Sequence, residues 1–311
     1  MATQLTHLAE VERLSPACIR ILGGNPGKFT LQGTNTYLVG TGPKRLLIDT
    51  GEGKPSWIAA LKRTLADEEA SITAAIITHW HGDHTGGIRD LTAAWPSTKV
   101  YKHAPDAGQL DLSDGQTFHV DDASLTAVHT PGHTADHMVL LFAEEDAMFT
   151  GDNVLGHGTA VFEDLAAYMG SLERMRKLFR GRAYPGHGAV VPDGPAKIAE
   201  YIRHRQQREE QVMQMLSSEK ETAEAAVEGV GGGGGSGGSG SNGNGDGDGN
   251  GNAWTVMELV KSIYRDVPES LHPAAAAGVK QILQKLEREG RATVSEDGGR
   301  WRLVSSARSA L

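Results

Sequence analysis

The chain has 311 residues, 39% of them hydrophobic, a net charge of −9 and one cysteine, Cys18. That length accommodates one large domain plus a small one, and the acidic balance excludes a strongly basic nucleic-acid binder. A single cysteine excludes intramolecular disulfides, no apolar run approaches the roughly 20 residues of a membrane span, and the N-terminal stretch, with Glu10 and Glu12, lacks a targeting pattern; a cytoplasmic protein is expected.

Taken in order, Tyr37-Leu38-Val39 and Leu46-Leu47-Ile48 read as strands, the second ending in Asp49-Thr50-Gly51. Trp57 to Leu65 has helical spacing. Ala75-Ile76-Ile77 is another buried strand, and it runs into Thr78-His79-Trp80-His81-Gly82-Asp83-His84-Thr85-Gly86-Gly87. Three imidazoles and a carboxylate within six residues, capping a buried strand, form a metal-ligand pattern rather than a solvated loop. His79 and His81, two apart on a turn, can face one ion, and Asp83 and His84 can face a second. Zinc suits such N and O donors, and a site left open to water is catalytic rather than structural.

Further candidates follow on glycine-flanked strand ends. Thr130-Pro131-Gly132-His133-Thr134 offers another imidazole, and Phe149-Thr150-Gly151-Asp152 ends a strand in a carboxylate able to bridge two metals. Tyr184-Pro185-Gly186-His187-Gly188 supplies a last imidazole. Met138 to Phe142 reads as a strand between them, and Leu165 to Phe179 and Pro195 to Leu216 as helices. His137 is a structural neighbour of His133. His157 is placed to reach the pocket as a substrate contact or proton donor. His103, His119, His129 and His204 carry no pairing signal. Arg203 and Arg205 suit either a carrier's phosphate or a solvated helix face.

Gly231 to Asn252 contains only Gly, Ser, Asn and Asp. It cannot bury enough apolar surface to order itself, and as a coil it spans on the order of 25 Å. Beyond it, Val256, Leu259, Val260 and Ile263, then Val279, Ile282, Leu283 and Leu286, mark two helices. Arg291 to Val294 and Arg300 to Val304 flank Gly298-Gly299 as a hairpin. Helix, helix and hairpin make a winged-helix-like unit. The expected organisation is therefore a catalytic domain over 1–217, a disordered glycine-rich linker over 218–252 and a winged-helix-like domain over 253–311. This last domain carries nine Lys/Arg against seven Asp/Glu. Lys280, Lys285, Arg288 and Arg291 are its candidates for a basic face, diluted by Glu287 and Glu289, so packing or homodimerisation is favoured over phosphate binding. The final Ser309-Ala310-Leu311 lacks the basic middle residue of a peroxisomal address.

The order of these motifs resembles the metallo-β-lactamase-fold hydrolases in their glyoxalase-II-like arrangement. That resemblance implies an α/β protein, an αββα sandwich, holding two zinc ions. It puts His79, His81 and His133 on the first zinc, Asp83, His84 and His187 on the second, and Asp152 between them. It matches Asp49 to the carboxylate that steadies the metal loop. Gly24 to Gly40, Gly158 to Leu165 and Leu271-His272-Pro273 are more specifically similar to the β-lactamase-type thioesterases of fungal aromatic polyketide pathways, the atrochrysone carboxyl ACP thioesterases. Such enzymes hydrolyse the finished polyketide acid from the acyl carrier domain of a non-reducing polyketide synthase.

Leaving-group chemistry points the same way. Zinc acidifies water to a pKa of about 7, and a thiolate, comparable to a thiol of pKa about 8.5, departs with little acid assistance. An alkoxide, as in RNA cleavage, needs more. The expected function is a dizinc thioesterase using Asp83 and His84, with a carrier domain as partner and a polyketide acyl group as substrate. A metal-dependent single-strand endoribonuclease of the same subgroup is the alternative, and a basic track from the terminal domain to the zinc pocket is what it would require.

Overall fold

The computed structural model describes residues 5–218, 253–265 and 268–304. The glycine-rich run Gly231 to Asn252 and the terminal Ser309-Ala310-Leu311 lie outside the described residues. The chain divides into two compact units, Met1–His204 and Arg205–Leu311.

Two sheets build the first unit. One runs in chain order through β1 (Val11–Ser15), β2 (Cys18–Leu22), β3 (Asn35–Val39), β4 (Lys44–Ile48), β5 (Ser71–Ile77), β6 (Lys99–Lys102) and β7 (Leu110–Asp111). The other comprises β8 (Thr117–Val120), β9 (Ala123–His129), β10 (Met138–Phe142), β11 (Ala147–Gly151) and β12 (Ala183–Pro185), ordered β12-β11-β10-β9-β8. Hairpin-linked pairs are antiparallel, whereas β4-β5, β5-β6, β6-β7 and β11-β12 are parallel. The parallel pair β4-β5 is bridged by α1 (Pro55–Asp67), whose first turn accepts Pro55 because no helical partner is lost there.

Alternation along the strands decides which side chains meet. Tyr37, Val39, Leu46, Ile48, Ala74 and Ile76 enter one core cluster with Leu125, Met138, Leu140 and Phe149 of the second sheet. Their neighbours Leu38, Leu47, Ala75 and Ile77 face the opposite way, onto Trp57, Leu61 and Leu65 of α1. A slip of one residue would exchange these two sets, so the register is strongly specified. On the far side of the second sheet, Val128, Val139 and Met148 pack against α4 (Leu165–Met175) and the first half of α5 (Gly194–Ser217). The layers are helix, sheet, sheet, helix, as expected.

The expected helix from Leu165 to Phe179 stops at Met175. Lys177 and Leu178 donate their amides to Arg174 and Met175, a tightened last turn that swings Phe179 into the core. Among the described residues, no helix is long and apolar enough to cross a membrane.

The second unit contains α6 (Val256–Ile263), α7 (His272–Arg288) and the hairpin β13 (Ala292–Val294) and β14 (Trp301–Leu303). Thr255 and Glu258 cap α6 reciprocally, the capping box that T-x-x-E encodes. Leu259 and Val260 are buried where α6 packs on α7, as are Val279, Leu283 and Leu286. Two of the four residues proposed for a basic face are neutralised: Lys285 lies 2.7 Å from both Glu209 and Glu289, and Arg291 lies 2.6 Å and 3.0 Å from the same two carboxylates. Glu209→Ala is expected to destabilise this unit by about 1–2 kcal/mol, between the values of exposed and buried pairs. Faster amide hydrogen exchange in α7 would be the reading.

Candidate metal centre

The loop after β5 turns into a four-residue helix, α2 (Gly82–Thr85), which carries Asp83 and His84; α3 (Ile88–Ala94) follows it. His79 sits at the strand end and His81 at the helix N-terminus. His133 comes from the turn between β9 and β10, Asp152 from the end of β11, and His187 from just past β12. Strand ends from both sheets thus converge at one edge of the sandwich. The residues gather as two groups, His79, His81, His133 and Asp152 in one and Asp83, His84 and His187 in the other, with donor atoms in each group within 4.8 Å of one another.

In the first group His79 Nε2 lies 2.9 Å from His81 Nδ1, and His133 Nε2 lies 3.3 Å and 3.1 Å from those two atoms. The Nδ1 of His133 donates to the Val161 carbonyl at 2.8 Å, and that of His79 faces the Thr78 hydroxyl at 3.0 Å. Both Nε2 atoms therefore present lone pairs to each other, a repulsive arrangement without a cation. Donors about 2.0–2.1 Å from a tetrahedral ion lie roughly 3.3 Å apart, which these spacings approach. Burial and the neighbouring imidazoles push His79 and His81 below the ordinary histidine range, which keeps their rings neutral.

The second group tells the same story with more charge. His84 donates Nδ1–H to Asp49 at 2.7 Å, so its buried Nε2 faces Asp83 and Asp152 oxygens, each at 3.4 Å, without a hydrogen-bond partner. His187 Nε2 stands 3.2 Å from both carboxylates. Burial pushes His187 down, but Asp152 and Asp83 outweigh it and raise it to about 9. Burial likewise pushes Asp83 up, and His187 and His84 outweigh that, drawing it down to about 2. A field that strong at shared lone pairs fits a divalent cation. Asp152 joins the groups, with Oδ2 3.8 Å from His133 and 3.2 Å from His187. These residues fit a metal pair.

Supporting contacts fix this geometry. Asp49 accepts from the Thr78 amide and hydroxyl as well as from His84, and holds a left-handed backbone, φ 58°, at the end of β4. Sequence reasoning missed the roles of Thr34 and Thr78 and expected His137 only as a structural neighbour of His133. Thr34 donates its hydroxyl to Asp83 Oδ2 at 3.0 Å. Thr78 links His79 to Asp49. His137 accepts the Asp152 amide at 3.1 Å through Nε2, so its Nδ1–H points to Thr130. Thr34 and Thr78 adjoin legible motifs, whereas the spacing of His137 from His133 marks its neighbourhood and not its bond to Asp152. Gly186 has its own constraint, since a Cβ there would collide with Asp152 Oδ1. His103, His119 and His129 bond to a carbonyl or hydroxyl away from the two groups. His157 lines a cleft of about 210 Å³ that opens from His133 and Asp152 and is walled by Phe29, Leu31 and Val161.

Residues 29–187 match the family model of the metallo-beta-lactamase superfamily, and residues 255–301 that of the beta-lactamase-associated winged helix domain. The chain belongs to the metallo-beta-lactamase superfamily. Lactamase-like protein aptB of Emericella nidulans is 46% identical, covering 90% of this chain and 84% of that protein. A protein of Aspergillus chevalieri named atrochrysone carboxyl ACP thioesterase is 43% identical, covering 98% and 92%. A beta-lactamase domain protein from Burkholderia ambifaria superposes with a TM-score of 0.71 at 15% identity, covering 94% of this chain and 93% of its own. That last likeness concerns the fold alone.

Proposed function

We propose that the chain is a dizinc thioesterase that hydrolyses an aromatic polyketide thioester carried on the acyl carrier domain of a non-reducing polyketide synthase, releasing the free acid in the cytoplasm. The observation that carries the reading is the junction of the two ligand groups with an apolar cleft, in a chain 43% identical to a protein named as such a thioesterase. Residues 1–217 are assigned the catalysis, and 253–311 a packing role, with 218–252 joining them. Neutralisation of Lys285 and Arg291 by Glu209 and Glu289 supports this reading over a ribonuclease.

His79, His81 and His133 would hold one zinc, Asp83, His84 and His187 the other, and Asp152 both. When bound, the pair supplies acidified water and polarises the acyl carbonyl. Asp49 fixes the His84 tautomer, so that Nε2 keeps its lone pair. The Val161 carbonyl does the same for His133. Asp83, steadied by Thr34, is placed to orient the attacking water. His157 contacts the acyl group from the cleft wall. The departing sulfur needs no strong acid, because thiols ionise near pH 8.5, about two units above an ordinary histidine.

The test is mass spectrometry of a carrier domain bearing an aromatic polyketide thioester, incubated with the zinc-loaded chain, with an Asp83→Ala control and with a single-stranded RNA in parallel. Free acid and bare carrier, both lost in the control, are expected. An intact thioester beside metal-dependent RNA cleavage would overturn the reading.

A further inference from the structure

We propose that the cleft is a preformed seat for a flat aromatic acyl group carrying an ionised oxygen, with Phe29 and Val161 as its walls and Lys28 as its charge partner. The proposal rests on the thioesterase reading and names the acyl class that the same site takes.

Phe29 and Val161 are 72% and 62% exposed, the two highest values among the exposed large hydrophobic residues described, and both line this one cleft beside His133 and Asp152. Scattered apolar side chains on a surface need no explanation, but two facing one cavity next to a ligand cluster mark a binding wall. An aromatic face offers a flat partner more than an aliphatic one does.

The exposure of Phe29 does not come from a loose loop. Gly27 donates its amide to Leu31 at 3.1 Å, Gly33 donates to Thr30 at 2.8 Å, and the Thr30 hydroxyl donates to the Asn25 carbonyl at 2.6 Å. Leu31 adopts φ 55°, a left-handed backbone that a leucine keeps only where its surroundings dictate it. The loop is also tied to the metal centre. The Asn25 side chain clasps Thr34, and Thr34 donates to Asp83. At the second lining residue, the Val161 carbonyl accepts the Nδ1–H of His133. Each wall is thus anchored on a residue of one ligand group, so the seat and the reacting centre keep a fixed spacing.

Charge narrows the occupant. Lys28 is among the residues lining the cleft, its ammonium lies 5.4 Å from the Phe29 ring centroid, and it has no carboxylate partner among the described residues. In a chain of net charge −9, this cation favours an acyl group bearing a phenolate or carboxylate over a neutral one. Size sets the fit. An apolar cavity of about 150 Å³ takes one benzene, so the cleft's volume of about 210 Å³ encloses one or two fused rings next to the thioester and leaves further rings outside.

The test is calorimetric titration of the zinc-loaded full chain with 2-naphthoate, 2,6-naphthalenedicarboxylate and octanoate, repeated on Phe29→Ala and Lys28→Gln. Both side chains are exposed, and unchanged circular dichroism would verify the fold. Phe29→Ala is expected to weaken both naphthalene ligands about fivefold and to spare octanoate. Lys28→Gln is expected to weaken only the dicarboxylate, about two- to fivefold. Variants that bind all three ligands like the parent would overturn the seat. The N-acetylcysteamine thioesters of 2-naphthoic and octanoic acids, followed for thiol release, separate the two readings. The binding pattern without cleavage supports the seat and counts against the thioesterase. Cleavage without the pattern leaves the thioesterase standing and removes the seat.

Discussion

Asp152→Ala is expected to lower thioester hydrolysis by more than about 100-fold, beyond the 10–100-fold that loss of a mere supporting carboxylate costs a metal site. Among the described residues, Asp152 is the only one whose carboxylate reaches members of both ligand groups, 3.4 Å from His84, 3.2 Å from His187 and 3.8 Å from His133. Removing it takes a negative charge from between five buried or half-buried imidazoles and leaves each candidate ion one donor short. Zinc per chain, measured by atomic absorption after gel filtration, should fall below that of the parent in parallel with activity. Since His137 grips the Asp152 backbone amide rather than its side chain, the end of β11 keeps its course and the fold should survive. Parent-like turnover with full metal content would remove Asp152 from the centre.

What was legible in the chain and what was not follows from the range of the interactions. The strands around Leu38, Leu47 and Ile76 announce themselves through alternation, because each residue meets a different layer. Strands as short as β7, two residues, and β8, four, show too few periods to read. At the centre, all seven expected ligands are brought together, since each lies in a local motif where glycine opens the backbone around a donor. The contacts that orient them are tertiary. Thr34 to Asp83 spans 49 residues and Asn35 to Pro185 spans 150, and no spacing rule links such positions. The cleft wall was equally silent, because Phe29 and Val161 come from loops without periodicity and only the fold brings them to one cleft.

Asp49 offers the sharpest separation of orientation from structure. Its carboxylate accepts three donors, the Thr78 amide at 2.8 Å, the Thr78 hydroxyl at 2.9 Å and His84 Nδ1 at 2.7 Å, from a position only 1% exposed. Asp49→Asn retains the shape and tolerates the left-handed φ of 58°, since asparagine visits that region readily. Its single carbonyl oxygen cannot serve all three donors, and an amide NH₂ facing His84 favours the tautomer protonated at Nε2, which no longer offers a lone pair to Asp83's group. Zinc affinity is expected to fall 10–100-fold, about the cost of losing such an orienting partner, with thermal stability of the metal-free chain nearly unchanged. Asp49→Ala adds a second effect, because the amide of Thr78 and the ring of His84 lose their acceptor in a buried site, and stability should drop by a further 1–3 kcal/mol, about the cost of orphaned buried donors. Competitive zinc titration and urea unfolding of the chelated chain measure the two effects apart. An Asn variant that binds zinc as tightly as the parent would show that the packing around His84 sets its tautomer without Asp49.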